Sequence, residues 1–151
     1  MRFPDTFIPA GEVLPRRNLI ANLHEAVKAL PQTHIELTHH FADRCYGREG
    51  VIPKGSVVIG RVHKQSQIQV VLSGRFCMFT DTGGLTVISA PAVYISPAGL
   101  VRSMYYLEDT RLVTILGTDE TDPDIIFDTL TSESYEAFLE AQKFEGGNHV
   151  P

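Results

Sequence analysis

The spacing of hydrophobic residues changes twice along the chain, and the first part has helical spacing. Between residues 17 and 30 the apolar positions recur every three or four residues, and Pro31 ends the pattern. The residues before position 17 are predicted to be irregular because they are rich in proline. We therefore expect residues 1–32 to form an N-terminal arm and one amphipathic helix that packs outside the fold. The prolines are Pro4, Pro9 and Pro15, and the apolar stripe is Leu19, Ile20, Leu23, Val27 and Leu30.

Residues 33–118 have a different pattern, in which short segments of alternating apolar and polar residues are separated by turn signals. About nine such segments, VVIGRVH among them, follow one another with no helical stretch between them. In HIELTHHF every second residue from Ile35 to Phe41 falls on one face, so only one of His39 and His40 can point inward. The pattern predicts a mostly β fold, a jelly-roll barrel or sandwich.

Residues 119–151 return to helical spacing and complete the predicted architecture with a C-terminal helical arm. A helix is predicted in IIFDTL, and a second in ESYEAFLEAQKF with Ser132 or Ser134 as its N-cap. The apolar stripe of the second helix fits packing against the chain's own barrel, and it also fits binding to a partner. This stripe is Tyr135, Phe138, Leu139 and Phe144.

Composition limits the class of protein. The chain has 151 residues, enough for one domain with a substantial core, and 43% of them are hydrophobic and 21% charged. No apolar run approaches the ~20 residues that cross a membrane, and the start lacks the apolar core of a secretory signal. Cys45 and Cys77 lack metal-ligand spacing, so we expect reduced thiols, with a disulfide left open. These features favour a cytoplasmic protein without a membrane partner.

Charge is distributed unevenly along the chain. Residues 1–118 contain 12 basic and 9 acidic residues, a balance of +3, whereas residues 119–151 contain one basic and nine acidic residues, a balance of −8. A nucleic-acid binder concentrates Lys and Arg on one face, so no nucleic-acid partner is expected. The acidic segment fits docking on the basic body of a neighbouring subunit, although composition alone favours a solvated tail.

One motif in the β region has the spacing of a known metal-binding pattern, in which a Gly precedes His-x-His, then Glu, then Gly. Gly55, His63 and Gly74 fall into its register, while Arg61 and Gln67 stand at the first-histidine and glutamate positions. In this respect the chain resembles the cupins, small jelly-roll barrels. The resemblance implies a cupin-type barrel over residues 33–118.

The second cupin motif, with Gly, Pro-x-Gly, His and Asn, is matched in part. Pro97 and Gly99 agree with it, while Pro91, Arg102 and Tyr106 stand where the cupins have Gly, His and Asn. The resemblance therefore implies that the turns persist and that three of the four metal positions are lost.

A narrower resemblance covers most of the chain. The stretches HHFADRCYGREGVIPKGSVVIGRVHK, SAPAVYISPAGLVRSMYYLEDT and TDETD are similar to small cupin-domain proteins encoded by tailed bacteriophages. Those relatives tend to carry His at the positions of Gln67 and Leu116, so this chain lacks that ligand set too. The resemblance implies a homo-oligomer with other phage structural proteins as partners, in the host cytoplasm or the virion.

The chemistry of the side chains agrees with the loss of a metal site. A catalytic divalent ion needs about three converging protein ligands, and a guanidinium has no lone pair to offer. A cation between Arg61 and Arg102 would also be repelled by several kcal/mol in a dry site. We therefore expect no metal and no other cofactor. A site built from His39, His63 and a carboxylate such as Glu49 stays open.

Six polar residues are expected to share the barrel interior, with Glu49 as a further member. Such a cationic lining suits a carboxylate, a phosphate or a sugar acid. Alternatively, the two arginines pair with Glu49 or Glu36 in a structural ion network. The six residues are Arg61, His63, Gln67, Gln69, Arg102 and Tyr106.

No catalytic residue is assigned from the sequence. Ser66 and Ser103 have no recognisable acid partner, although His63 as base and Tyr106 as acid would suit a metal-independent isomerase. The favoured hypothesis is a non-catalytic oligomeric component of a phage particle or its assembly, with the N-terminal arm and the C-terminal helix at subunit contacts. The alternatives are a small-molecule binding protein or isomerase-type enzyme, and a regulatory protein that binds a host protein.

Overall fold

The computed structural model describes the backbone of residues 10–147 and the side chains of residues 12–143. Phe144 and the arm before residue 10 therefore lie outside the side chains that it describes. Within these limits no helix is long and apolar enough to span a membrane. The helices are α1 (Ala10–Lys28), α2 (Pro123–Leu130) and α3 (Tyr135–Gly147). The strands are β1 (Glu36–Ala42), β2 (Cys45–Ile52), β3 (Val57–Ile59), β4 (Val62–His63), β5 (Gln67–Ser73), β6 (Arg75–Thr80), β7 (Gly84–Ser89), β8 (Ala92–Ser96), β9 (Arg102–Tyr106), β10 (Thr110–Gly117) and β11 (Thr131–Ser132).

The strands form an antiparallel β-sandwich, which confirms the predicted fold class. A five-stranded sheet has the order β1-β2-β10-β5-β8, and a four-stranded sheet has the order β3-β9-β6-β7. The short strands β4 and β11 pair with each other at the side of the sandwich. The main core lies between the two large sheets and consists of Ile52, Val71, Phe76, Met78, Ile88, Tyr94, Met104 and Tyr106.

Helix α1 begins earlier than predicted and is attached differently. It starts at Ala10 and includes Pro15, which removes one helix hydrogen bond near the N-terminal end. Its apolar stripe is buried in part, since Ile20 is 2% exposed but Leu19 is 60% exposed. An ion pair of 3.1 Å between Arg17 and the buried carboxylate of Asp81 also helps to hold the helix.

The segment VVIGRVH, predicted as one strand, forms two. Strand β3 ends at Ile59 and pairs with β9, whereas β4 pairs with β11 near the C-terminal end of the chain. Between them the Gly60 amide donates to the Arg102 carbonyl at 3.2 Å. The break arises because a distant segment supplies the partner of β4, and the local pattern does not show it.

The C-terminal helices pack on the chain's own barrel. The Asp122 carboxylate caps α2 by accepting from the Asp124 amide at 2.9 Å. The Ser134 hydroxyl accepts from the Ala137 amide at 3.1 Å, which confirms one of the two predicted caps of α3. Phe138 is 5% exposed and packs in a cluster with residues of α1, β4 and the segment before β9. The division of the chain at residues 33 and 119 stays a prediction.

Candidate functional site

A cavity of about 560 Å³ lies between the two large sheets. Helix α2 and the first residue of β11 form part of its wall, so the C-terminal segment helps to enclose it. Its volume is in the range of ordinary small-molecule sites. The ionic side chains of its lining are three arginines and one aspartate, a balance of +2; they are Arg48, Arg61, Arg102 and Asp124.

The cavity-facing residues of the five-stranded sheet lie in rows, because the strand register places them side by side. One polar row crosses all five strands, in the order His39, Arg48, Thr114, Gln69 and Tyr94. The adjacent row, two residues along each strand, is apolar and consists of Leu37, Gly50, Leu112, Val71 and Ala92. The polar row therefore lies in the middle of the cavity, between an apolar end at the second row and the α2 side, where Leu116, Ile126 and Phe127 also line the wall.

Arg102 extends into the cavity from β9, on the opposite sheet. Its guanidinium donates to the Ser96 hydroxyl at 3.1 Å, and no carboxylate in the described part of the chain lies within the 4.0 Å of an ion pair. Burial lowers the pKa of Arg102, because desolvation penalises the charged form. A Cβ at Gly60 would lie 3.0 Å from Arg102 Nε, so the absence of a side chain there gives the guanidinium its place.

Arg61 also borders the cavity, but its donors are used by the C-terminal segment. Its Nε donates to the Thr131 hydroxyl at 2.8 Å, and its guanidinium lies 3.7 Å from the exposed Glu133 carboxylate. The guanidinium carbon also stacks 4.2 Å from the centre of the Phe127 ring. Arg61 therefore connects β11 and α2 to the barrel, and the predicted pairing with Glu49 or Glu36 is wrong.

His63 lines the cavity between these arginines. Desolvation, followed by the charges of Arg102, Arg48 and Arg61, lowers its pKa from 6.5 to about 3. The imidazole is consequently neutral at pH 7. It is therefore a hydrogen-bonding group and too weak a base for ordinary proton abstraction.

Tyrosines complete the polar part of the lining. Tyr106 is 2% exposed and packs against the Phe76 ring at 5.1 Å, and burial raises its pKa. The Tyr46 hydroxyl lies 2.6 Å from His39 Nδ1, and burial raises the pKa of Tyr46 too. At neutral pH both phenols are therefore protonated.

The two glutamines form a short chain of hydrogen bonds behind and along the polar row. The Thr114 hydroxyl donates to Gln69 Oε1 at 2.9 Å, and Gln69 Nε2 donates to Gln67 Oε1 at 3.1 Å. Gln69 lines the cavity, whereas Gln67 is buried on the same face outside the lining. Gln67 thus supports Gln69 instead of contacting the cavity itself.

Glu49 is not in the barrel interior, which corrects its assignment from the sequence. It lies on the outer face of β2, where it contacts His40 at 3.0 Å and pairs with Arg111. The inward residues of β2 are the even-numbered ones, since Tyr46, Arg48, Gly50 and Ile52 line the cavity. The same alternation places His39 inside and His40 outside. A metal site of His39, His63 and Glu49 is therefore excluded by position.

Within the described residues, no group of three or more His, Cys, Asp or Glu side chains is placed to hold a metal ion. The donors that face the cavity are instead guanidinium, phenol, amide and imidazole groups. Cys45 and Cys77 are free thiols.

The sequence prediction missed several residues of the lining. Arg48, Tyr46 and Tyr94 could have been found from alternation, because each lies an even number of residues from an apolar inward position on its strand. Gly60 and helix α2 gave no such signal, because their place depends on long-range packing.

No protein-family model matches the sequence, and no curated protein matches it. Among solved structures, a cupin superfamily protein from Desulfitobacterium hafniense is similar with a TM-score of 0.50 and 13% identity, over 60% of this chain and 83% of that one. KdgF from Halomonas sp. gives a TM-score of 0.51 and 15% identity, over 62% and 87% of the two chains. The fold is that of the cupins. A proposed ethanolamine utilization protein Q from Salmonella typhimurium has the same cupin fold, with a TM-score of 0.50, 13% identity, and coverage of 58% and 72%.

These similar structures have different names, so the shared fold alone does not indicate an activity for this chain. The comparisons confirm the cupin fold that the motifs implied. They give no support to a bacteriophage origin, a virion role or a degraded metal site.

Proposed function

We propose that the cavity is a binding site for a small organic anion and that the protein does not transform its ligand. The observation that carries this proposal is Arg102, a guanidinium inside the cavity whose hydrogen-bond partner among the described residues is the neutral Ser96. A desolvated charge is costly unless it is paired, and a carboxylate or phosphate would supply the missing partner.

The surroundings of Arg102 support the same ligand class. Arg48 lies in the polar row without an ion-pair partner in the described part of the chain, so the site offers two guanidiniums to one ligand. The Tyr106 hydroxyl is a protonated donor at neutral pH. A compact anion would therefore meet both charge and hydrogen bonds.

The proposal is non-catalytic because the candidate acid and base are poorly matched to proton transfer. A general base is most effective when its pKa is near the working pH, and the pKa of His63 is lowered to about 3. The raised pKa of Tyr106 makes it a weaker acid than an ordinary phenol. An isomerase mechanism with these two residues is disfavoured on both counts.

Thermal unfolding at constant ionic strength tests the proposal. Succinate, phosphate and sulfate are each compared with chloride, and a ligand at 100 times its Kd stabilises the native state by about 2.7 kcal/mol. The expected rise in Tm for at least one anion should be lost in Arg102→Gln and in the more exposed Arg48→Gln. Arg75→Gln, which removes a charge outside the cavity, is the control. No rise with any anion, or an equal rise in Arg102→Gln, refutes the proposal.

A second candidate function is a non-catalytic oligomeric component, which one surface favours. On the outer face of β5 and β8 a patch of aliphatic side chains is exposed: Ile68 is 44%, Leu72 51%, Val93 57% and Ile95 63% exposed. Ile68 and Ile95 pair directly across the two strands. Contiguous exposed apolar surface is typical of an interface. A role in a phage particle or in its assembly is the more specific version of this second candidate function.

Light scattering tests the oligomeric candidate. We expect a mass above that of the 16.7 kDa chain, and a shift to the single-chain mass in Ile95→Lys. Arg75→Gln again serves as a control on a different sheet. A single-chain mass for the unsubstituted protein over a wide concentration range rules this candidate out.

A further inference from the structure

The apolar end of the cavity has a gap in its wall at Gly50. This glycine is buried and is the second residue of the apolar row, with Leu37 on one neighbouring strand and Leu112 on the other. All three residues line the cavity. A strand interior disfavours glycine, and a glycine there often marks the close approach of a ligand or another backbone.

The backbone of Gly50 does not require glycine. Its φ is not in the left-handed region, and a Cβ would meet its nearest neighbour, Leu37 Cδ2, at an ordinary 3.6 Å. A Cβ would also lie 3.7 Å from Ile35 Cγ2, so the missing side chain leaves a shallow recess beside Ile35 and Leu37 without relieving strain. The facing sheet supplies further apolar walls at this end, from Phe76 and Met104.

We infer that the ligand is amphipathic: an organic carboxylate whose charged group meets Arg102 and the polar row, and whose apolar body extends past Gly50. Along β2 the distance from Arg48 in the polar row to Ile52 at the apolar end is four residues, roughly 13 Å. This length suits an alkyl or aryl body of several carbons. The inference rests on the proposed function and narrows its ligand class.

Titration calorimetry with straight-chain carboxylates from acetate to decanoate, below micelle-forming concentrations, tests the inference. Affinity should rise about fourfold for each added methylene until the apolar end is filled. In Gly50→Val the longer acids should lose this gain, because the new side chain occupies the space, while acetate should bind within twofold of its original affinity. Gly47→Val, on the outer face of the same strand, is the matched control and should behave like the unsubstituted protein.

The outcomes separate the two proposals. Anion binding that depends on Arg102 but not on chain length overturns the amphipathic ligand and leaves the anion site in place. Binding of 1-octanol as tight as that of octanoate shows an apolar cavity and overturns both. No binding of any carboxylate, with no effect of phosphate or sulfate, also overturns both. The chain-length series on the unsubstituted protein is decisive even where Gly50→Val does not fold.

Discussion

The low pKa of His63 predicts a specific loss of stability in acid. In the unfolded chain the imidazole binds a proton near its ordinary pKa of 6.5, whereas in the folded protein burial and the charges of Arg102, Arg48 and Arg61 delay protonation to a pH of about 3. Between these values the unfolded state binds more protons than the folded state. Stability is therefore fully present above pH 6.5 and decreases as the pH falls towards 3.

The magnitude follows from the two pKa values. At pH 5 the unfolded His63 is almost fully protonated and the folded one almost fully neutral, which costs about 2 kcal/mol relative to pH 7. Replacing His63 with Gln removes this proton linkage and keeps a side chain that can form hydrogen bonds. The free energy of unfolding of His63→Gln should thus fall by about 2 kcal/mol less than that of the unsubstituted protein between pH 7 and pH 5.

Urea unfolding at the two pH values measures this difference. Circular dichroism is the appropriate signal because the chain has no tryptophan. The carboxylates titrate in both proteins, so their contribution cancels in the comparison. His34→Gln, at an exposed histidine outside the cavity, is the matched control. Equal acid destabilisation of His63→Gln and the unsubstituted protein, within about 0.5 kcal/mol, would falsify the electrostatic description of the cavity.

Two further predictions concern the attachment of the helices, and urea unfolding measures both. Asp81→Asn should destabilise the fold by about 3 kcal/mol, because Asp81 is 1% exposed and its ion pair with Arg17 holds α1; an unchanged midpoint contradicts this. Gly99→Ala should cost about 2 kcal/mol, because its φ is +79° and a Cβ would lie 2.8 Å from the Phe138 ring. Gly117→Ala has no close neighbour and should stay within about 0.5 kcal/mol.

The fold was largely predictable because the β segments carry a clear period of two. In β2 and β10 the buried residues lie two positions apart, with the exposed Arg48 as the exception in β2, and the turns at Gly74 and Gly84 have the positive φ that glycine allows. The resemblance to the cupins then selected the sandwich type. Local signals also limited the cap of α3 to Ser132 or Ser134, and the structure has Ser134 in that role.

The elements that differ from the prediction all depend on contacts with residues that are distant in the sequence. The attachment of α1 includes Asp81, which is 64 residues from Arg17. The break of VVIGRVH at Gly60 depends on β11, and the partly exposed stripe of α1 shows that helical spacing alone does not ensure burial. Such partners are not visible in a local pattern.

The candidate site was predictable in part. Arg61, His63, Gln69, Arg102 and Tyr106 all line one cavity, as strand alternation implied. Alternation along β2 also indicates that Glu49 faces outward, because it lies between two inward positions. The assignment of Glu49 to the interior did not follow this rule. The role of Gly50 could not be predicted from the sequence. Its lack of a side chain matters only when the residues on the opposite wall of the cavity are known.

Arg61 and Arg102 stand at positions where the cupin motifs have histidines. The two arginines have different roles in this chain. Arg61 uses its donors to fix the C-terminal segment that encloses the cavity, while Arg102 directs a guanidinium into the enclosed space. A guanidinium presents a fixed positive charge and planar donors, but it has no open coordination position at which to activate a water molecule. The site can therefore attract and orient an anion with charge that belongs to the chain itself. On this argument, a chelator should leave anion binding unchanged, whereas Arg102→Gln should abolish it.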